Sequence, residues 1–170
     1  MTPRVQELIN TFSLEIDRNL WFALYEVFAT DETLDYPFIG EFTECMIEAG
    51  IDPSQYLDSI PCGYLYGTNI PHIDIRDGIK SISSWAFSNC HHISSIELPK
   101  SVENVAENAF ANSGTIGELI IMNPDVEIDN FAFYDCVIDT IYYNGTEAQW
   151  DEKDYYVDFK RIHFVNWSTS

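Results

Sequence analysis

Basic residues are scarce in this sequence. Its 170 residues include 8 Lys and Arg against 28 Asp and Glu, which gives a formal net charge of -20 at pH 7. The acidic residues are spread along the chain and do not form one tail. A field of this sign repels the phosphates of nucleic acids and of anionic membranes, so direct binding to either is not expected. A protein partner with a basic or mixed surface is compatible with it.

Long apolar segments and a secretory start are also lacking. No stretch approaches the ~20 apolar residues of a membrane-spanning helix, and the opening MTPRVQELINTFSLEIDRNLW interleaves acids with apolar residues. A secretory signal has a basic start and an uninterrupted apolar run instead, so we expect a cytoplasmic protein whose four cysteines are reduced thiols. Hydrophobic residues still make up 46% of the chain, which predicts a folded domain.

Motifs of catalysis and metal binding are missing as well. The sequence has no nucleotide loop, no Gly-x-Ser-x-Gly, no His-Glu-x-x-His and no Cys-x-x-Cys. His91 and His92 are adjacent and would face different ways in a helix or a strand, so they are a poor metal pair. Asp125, Glu127 and Asp129 alternate on one face without the glycine of a calcium loop, which favours a solvated acidic face. We therefore expect no catalytic residue, no metal and no cofactor.

What the sequence does contain is an internal repeat of 23 residues. An Ala-Phe pair and three columns of aliphatic residues all keep this separation. The columns are Ala86-Phe87, Ala109-Phe110 and Ala132-Phe133; Ile82, Val105 and Ile128; Ile73, Ile96 and Leu119; and Ile75, Leu98 and Ile121. One residue is lost after Cys136, so the last two columns continue at Ile141 and Tyr143. Because a single repeat cannot bury its own apolar edge, the repeats must stack into a solenoid.

Each repeat predicts a short strand followed by a turn. The pattern Ile-x-x-Ile-x-Leu-Pro has apolar residues at period two, which is typical of a strand with one buried face. The pairs Asp77-Gly78, Lys100-Ser101 and Pro124-Asp125 mark the turns. Segments such as residues 83–87 begin with serine hydroxyls that can accept bonds from free amides, so a single helical turn is expected there. The phenylalanine of each repeat is expected to fill the interior.

These repeats resemble the BspA-type leucine-rich repeat family. The resemblance rests on Ile93–Val102 followed by Ala109-Phe110, on Ala86–Cys90 and Ala132–Cys136, and on Ile141–Trp150. It covers roughly residues 70 to 150. It implies parallel short strands on one face of a solenoid and a role in protein recognition.

The segment before the repeats is expected to be a helical cap. Apolar residues at three- and four-residue spacings predict an amphipathic helix over residues 3–29. This stripe consists of Val5, Leu8, Ile9, Phe12, Ile16, Leu20, Leu24 and Phe28. A second helix is predicted from Phe38 to Ala49, and a short third helix opens at Asp52-Pro53 and runs through Leu57.

The segment after the repeats is expected to cap the other end. Thr146 and Gln149 have the spacing of a capping box at the start of a short helix that carries Trp150, and residues 161–165 predict a final strand. The chain is thus divided into an N-terminal cap (1–69), repeats (70–145) and a C-terminal cap (146–170). The fold class is α+β: a short leucine-rich-repeat solenoid with parallel strands, an α-helical N-terminal cap and a small C-terminal cap.

The outward strand positions form the candidate binding surface. If the column residues point inward, the alternate residues of each strand are exposed. Six of these are expected to contact a protein partner: Asp74, Glu97, Glu118, Ile120, Met122 and Tyr142. They combine an apolar centre with an acidic rim, which is the anatomy of a protein interface. The sequence therefore predicts a non-enzymatic protein–protein recognition module.

A second interpretation remains open. An acidic protein can mimic nucleic acid and occupy the phosphate-binding groove of a DNA- or RNA-binding enzyme as an inhibitor. Small size and a charge of -20 suit such a phage-type anti-defence or host-takeover protein. The carboxylates follow no spacing that matches phosphates, which argues against mimicry.

Overall fold

The structure, a computed structural model, describes residues 3, 7, 19, 21–23, 25 and 35–167. Its centre is a solenoid of about five turns built from parallel strands. The predicted fold class is thereby confirmed. Residues 35–167 contain, in chain order, α1 (Tyr36–Glu48), a 3-10 helix (Pro53–Tyr56), β1 (Ser59–Ile60), β2 (His72–Asp74), β3 (Ser81–Ile82), β4 (Ser95–Leu98), β5 (Asn104–Val105), β6 (Gly114–Ile121), β7 (Glu127–Ile128), β8 (Cys136–Tyr143), α2 (Glu147–Lys153) and β9 (Ile162–Phe164).

The strands form two parallel sheets. One has four two-residue strands in the order β1-β3-β5-β7, and the other has five strands in the order β2-β4-β6-β8-β9. In the five-stranded sheet Ile73 lies opposite Ile96, which lies opposite Leu119, so the 23-residue period of the sequence is the register of the sheet. Leu119 lies opposite Ile141 after the shortened repeat. The period predicts this sheet well because one residue of slip would turn every apolar side chain to solvent.

The four-stranded sheet was not expected from the sequence. Its inward residues are Ile60, Ile82, Val105 and Ile128, all at most 8% exposed. Three of them belong to a repeat column that the sequence does reveal. A strand of two residues is too short to show a period-two pattern, which is why the column alone did not identify a strand.

The prediction of a helical turn over residues 83–87 is wrong. Residues 84–89 form turns with positive φ at Trp85 (63°) and Asn89 (58°), which a right-handed helix does not allow. Its local bonds are long, as from the Ala86 amide to the Ser83 carbonyl at 3.3 Å. Its shorter backbone bonds run between repeats: the Phe87 amide donates to the Ala109 carbonyl at 2.7 Å and the Asn89 amide to the Ala111 carbonyl at 2.8 Å. Bonds to the next turn of the solenoid therefore replace those of a helix.

The phenylalanines of the repeats form a stack through the interior. The rings of Phe87 and Phe110 lie 5.2 Å apart at 8°, and those of Phe110 and Phe133 lie 4.9 Å apart at 4°. All three are at most 4% exposed. Tyr64 packs against the N-terminal end of this stack, with its ring edge-on to Phe87 at 6.2 Å and 76°. The predicted interior position of these side chains is confirmed, and the repeats share one continuous core.

The N-terminal end of this stack is covered by aromatic side chains and α1. Trp21, 1% exposed, lies 5.9 Å from the Tyr64 ring and donates its indole N–H to the Thr43 hydroxyl of α1 at 2.9 Å. The Tyr64 hydroxyl in turn donates to Asp52 Oδ1 at 2.8 Å. Asp52 also accepts from the Ser54 amide and so caps the 3-10 helix. The second and third predicted helices are thus present, the third as a 3-10 helix.

Most of the first predicted helix lies outside the described residues. Those of its positions that are described, residues 3, 7, 19, 21–23 and 25, are helical, whereas the apolar stripe from Val5 to Phe28 is not among them. The four-stranded sheet begins at Ser59, within the segment assigned to the N-terminal cap. The division of the chain at residues 69 and 145 stays a prediction.

The C-terminal cap follows the expected design. Thr146 and Gln149 form the predicted capping box at the start of α2, with the Thr146 amide donating to Gln149 Oε1 at 2.9 Å. Trp150 is 9% exposed and meets Tyr143 at 5.2 Å between ring centroids. The final strand, β9, pairs with β8 in parallel. Trp150 and β9 therefore cover the last turn of the solenoid.

Replacing Phe110 by alanine tests the shared core. Because Phe110 stacks on both Phe87 and Phe133 and is fully buried, we expect F110A to lower the free energy of unfolding by about 3–5 kcal/mol, measured by urea titration with circular dichroism. F131A is the matched control, because Phe131 is 51% exposed. Equal losses for the two variants would contradict the stacked core.

Replacing Gly40 by alanine tests how closely α1 lies on the first turn. A Cβ atom at this position would overlap the Tyr66 carbonyl. We expect G40A to destabilise the protein by about 1–3 kcal/mol through overpacking, although alanine is ordinarily the better helix former by about 1 kcal/mol. E48A, at an exposed position of the same helix, should change stability by less than about 0.5 kcal/mol. A stabilised G40A would show that α1 packs less closely.

Candidate partner-binding surface

The outer face of the five-stranded sheet carries the residues expected to bind a partner. Asp74, Glu97, Ile120 and Tyr142 lie opposite one another across β2, β4, β6 and β8. Their strand neighbours are the inward column residues, which are at most 5% exposed, so this row points away from the core. The sequence therefore predicted correctly which residues share a face and which are adjacent.

The row has a fifth member that the sequence did not reveal. His163 on β9 lies opposite Tyr142, and the two rings stack at 5.3 Å and 21°. Residues 161–165 predicted a strand, but they lie outside the repeat, so no period indicated where that strand would pair. The stacked pair extends the aromatic area next to Ile120.

A second row flanks the first on the N-terminal side. His72 Nδ1 and the Ser95 hydroxyl are 2.9 Å apart, and Glu118 follows opposite Ser95. Glu118 is exposed. Thr140, the next residue in the row, occupies an outward position and was expected to be exposed, but it is only 7% exposed. Glu118 is therefore the last exposed residue of this row.

The third row brings Met122 beside the centre of the surface. Its amide donates to the Leu98 carbonyl at 3.0 Å, and its carbonyl accepts from the Asn144 side-chain amide at 2.8 Å. Met122, Ile120 and Tyr142 are all half-buried. Three partly accessible apolar residues thus occupy neighbouring outward positions between acidic residues.

The rim of this surface is acidic. Asp74, Glu97 and Glu118 are exposed. Asp52 and Arg76 line a groove beside Met122. The Arg76 guanidinium donates to the Leu57 carbonyl at 2.8 Å and to the Asp77 carbonyl at 2.8 Å, so it is held against the backbone. The six expected residues, Asp74, Glu97, Glu118, Ile120, Met122 and Tyr142, therefore form one surface with an apolar centre and an acidic edge.

Lys153 neutralises part of the remaining acidic surface through an ion pair. Lys153 Nζ lies 2.7 Å from Glu127 Oε1 and also donates to the Asp125 carbonyl at 3.1 Å.

Within the described residues, no group of three or more His, Cys, Asp or Glu side chains could hold a metal ion. In the same part of the chain, no helix is long and apolar enough to cross a membrane.

Cys90, Ser113 and Cys136 occupy the same position in three successive repeats and form hydrogen bonds that link the repeats. Each side chain donates to a carbonyl of the preceding turn: Cys90 Sγ to Leu65 at 3.0 Å, Ser113 Oγ to Phe87 at 3.3 Å and Cys136 Sγ to Phe110 at 3.1 Å. Burial raises the pKa of the Cys90 thiol to about 11 and raises that of Cys136 as well. A raised thiol pKa lowers the thiolate fraction, so these cysteines suit a core and not nucleophilic chemistry.

Comparison with known families agrees with the repeat architecture. The family model described as BspA type Leucine rich repeat region matches residues 40–156 in six copies. No curated protein and no solved structure matches the chain significantly.

Alkylation of the native protein tests the assignment of the thiols to the core. Cys62 is half-buried, whereas Cys45, Cys90 and Cys136 are at most 4% exposed. We expect iodoacetamide to modify Cys62 first, at least about tenfold faster than Cys90 or Cys136, as followed by peptide mass spectrometry. All four should react alike in denaturant. Fast modification of Cys90 or Cys136 in the native state would instead reveal an activated thiol.

Proposed function

We propose, because the chain belongs to the BspA-type leucine-rich repeat family, that it is a non-enzymatic recognition module. The repeats of this family commonly mediate protein–protein interaction, and its fold is typically a non-enzymatic scaffold. The module binds a protein partner through the outer face of the five-stranded sheet. The contact residues are Asp74, Glu97, Glu118, Ile120, Met122 and Tyr142.

One observation carries this proposal: the adjacency of Ile120, Met122 and Tyr142 on a face whose edge is acidic. Partly exposed apolar side chains surrounded by charged ones match the core and rim of a protein interface. Tyr142 is supported by its stacking on His163, so its ring is already oriented before a partner arrives. Backbone ladders on both sides hold Ile120 and Tyr142 in the sheet. A rigid contact surface loses little conformational entropy on binding.

The charge of this surface defines the kind of partner. Asp74, Glu97 and Glu118 surround the apolar centre, and the chain as a whole carries -20. Such a field speeds the approach of a basic or mixed surface and repels an acidic one. The same charge supports a second candidate, a nucleic-acid mimic that blocks a DNA- or RNA-binding enzyme. The apolar centre favours the first, since a phosphate mimic has no need of Ile120, Met122 and Tyr142 together.

Substitution of the apolar centre tests the proposal. The double variant I120D/Y142D places two charges in the centre of the surface, and we expect it to abolish capture of the partner from a lysate at high salt, as read by mass spectrometry. The matched control is N104D/N130D, which adds the same charge at exposed positions on β5 and on the turn before β8. Thermal melts should show that both variants are folded.

The salt dependence of capture separates the two candidate functions. Retention of a partner at high salt by wild type and N104D/N130D, together with its loss from I120D/Y142D, supports recognition by the sheet. A partner held only at low salt, displaced by added DNA and insensitive to I120D/Y142D, would support the nucleic-acid mimic instead, because charge contacts are screened by salt and apolar ones are not. Retention by I120D/Y142D at high salt would contradict the sheet as the binding surface.

A further inference from the structure

A cavity lies at the N-terminal ends of β6 and β8 and contains none of the six residues of the outer face. It has a volume of about 530 Å³ and opens between the turn that precedes β8 and the segment that precedes β9. Tyr134 and Asp135 line it from the turn, Tyr156 and Asp158 from the segment, and His91 from an earlier repeat. These residues come from three separate parts of the chain, so only the stacking of the repeats brings them together.

Two of the aromatic residues that line this cavity are exposed, whereas Phe133, which also lines it, is buried. Tyr134 is 55% exposed and Tyr156 is 77% exposed. Phe131, 51% exposed, extends the same aromatic surface with its ring 6.2 Å from that of Tyr134. Exposed tyrosine rings beside a cavity present both an apolar face and a π-system to a ligand. An apolar ligand or a cation could use such faces.

The charges around the cavity favour a cation. Asp135 and Asp158 are both exposed and line it together with the two tyrosines. Among the described residues, none that lines it is Lys or Arg. A cation in the cavity would therefore meet two carboxylates and two aromatic faces, which are the groups that stabilise it.

Backbone hydrogen bonds hold both sides of the cavity in place. The Asn112 amide donates to the Tyr134 carbonyl at 2.8 Å, and the Ile138 amide donates to the Asp158 carbonyl at 2.8 Å. Asp135 has a left-handed backbone conformation with φ of 57°, which Asp and Asn tolerate better than other side chains. The site is thus built by the repeat ladder before a ligand arrives.

We propose that this cavity binds an arginine side chain of a protein partner, with the guanidinium between the tyrosine rings and its N–H groups donating to Asp135 and Asp158. Arginine fits better than lysine because its planar guanidinium stacks on aromatic faces and donates in a fork that matches carboxylates. The site goes beyond the proposed role of the outer face and depends on different residues. It gives the protein a defined contact for a basic partner.

A short peptide tests this directly. The probe is acetyl-Gly-Arg-Gly-amide, titrated into the 15N-labelled full chain and followed by amide chemical shifts, with the citrulline peptide as a neutral comparison of the same shape. We expect shift changes to concentrate at residues 134–135 and 156–158, and the citrulline peptide to produce none. Y156A should weaken binding about threefold and D135N by a similar factor, because each removes one stabilising contact.

Matched variants separate a built site from general attraction to an acidic protein. D58N removes the same charge as D135N, and Y56A removes an exposed aromatic ring; both residues lie before β1 and belong to neither site, so neither variant should alter binding of the arginine peptide. Equal weakening by D58N and D135N would overturn the proposal, as would binding of the citrulline peptide or full binding by Y134A/Y156A. None of these results depends on whether the outer face binds a partner, so the two sites can fail separately.

Discussion

The stacking of one repeat on the next is the interaction on which the rest of this structure depends. A single 23-residue unit has no neighbour against which to bury Phe110 or Val105, and both are fully buried only because turns lie on either side. The hydrogen bonds follow the same rule. Besides their internal bonds, the turn segments bond to the next repeat, as from the Phe87 amide to the Ala109 carbonyl. The stability of each turn therefore depends on its contacts with the neighbouring turns.

Such a column has two ends, and each end needs a different side chain from the interior. At the first turn Tyr64 takes the place of phenylalanine, and its hydroxyl reaches Asp52 while Trp21 covers its ring. At the last turn Tyr143 takes the place of an aliphatic residue, and its hydroxyl donates to the Pro124 carbonyl at 2.7 Å beneath Trp150. In both cases an aromatic ring completes the core while its hydroxyl finds a hydrogen-bond partner at that end of the solenoid.

The sequence predicts the parts of this fold that repeat and misses the parts that occur once or are very short. Columns such as Ile73, Ile96 and Leu119 gave the register of the large sheet, because a slip would expose the whole set. The two-residue strands and the partner of His163 gave no such pattern. One signal was readable but unused: Asn89, Asn112 and Asp135 recur at 23 residues and all have positive φ, so this column marked turns and not helix.

The same geometry limits what the outer face can do alone. Five strands at about 4.8 Å spacing make the row from Asp74 to His163 roughly 19 Å long, and three rows of alternate residues are roughly 13 Å wide. That area is well below the ~800 Å² that each partner buries in a standard interface. A stable complex must therefore use surface beyond the sheet. The cavity of Tyr134 and Tyr156 adjoins β6 and β8, two of the five strands, so a partner that covers Ile120 and Tyr142 and also inserts an arginine there would gain the missing area.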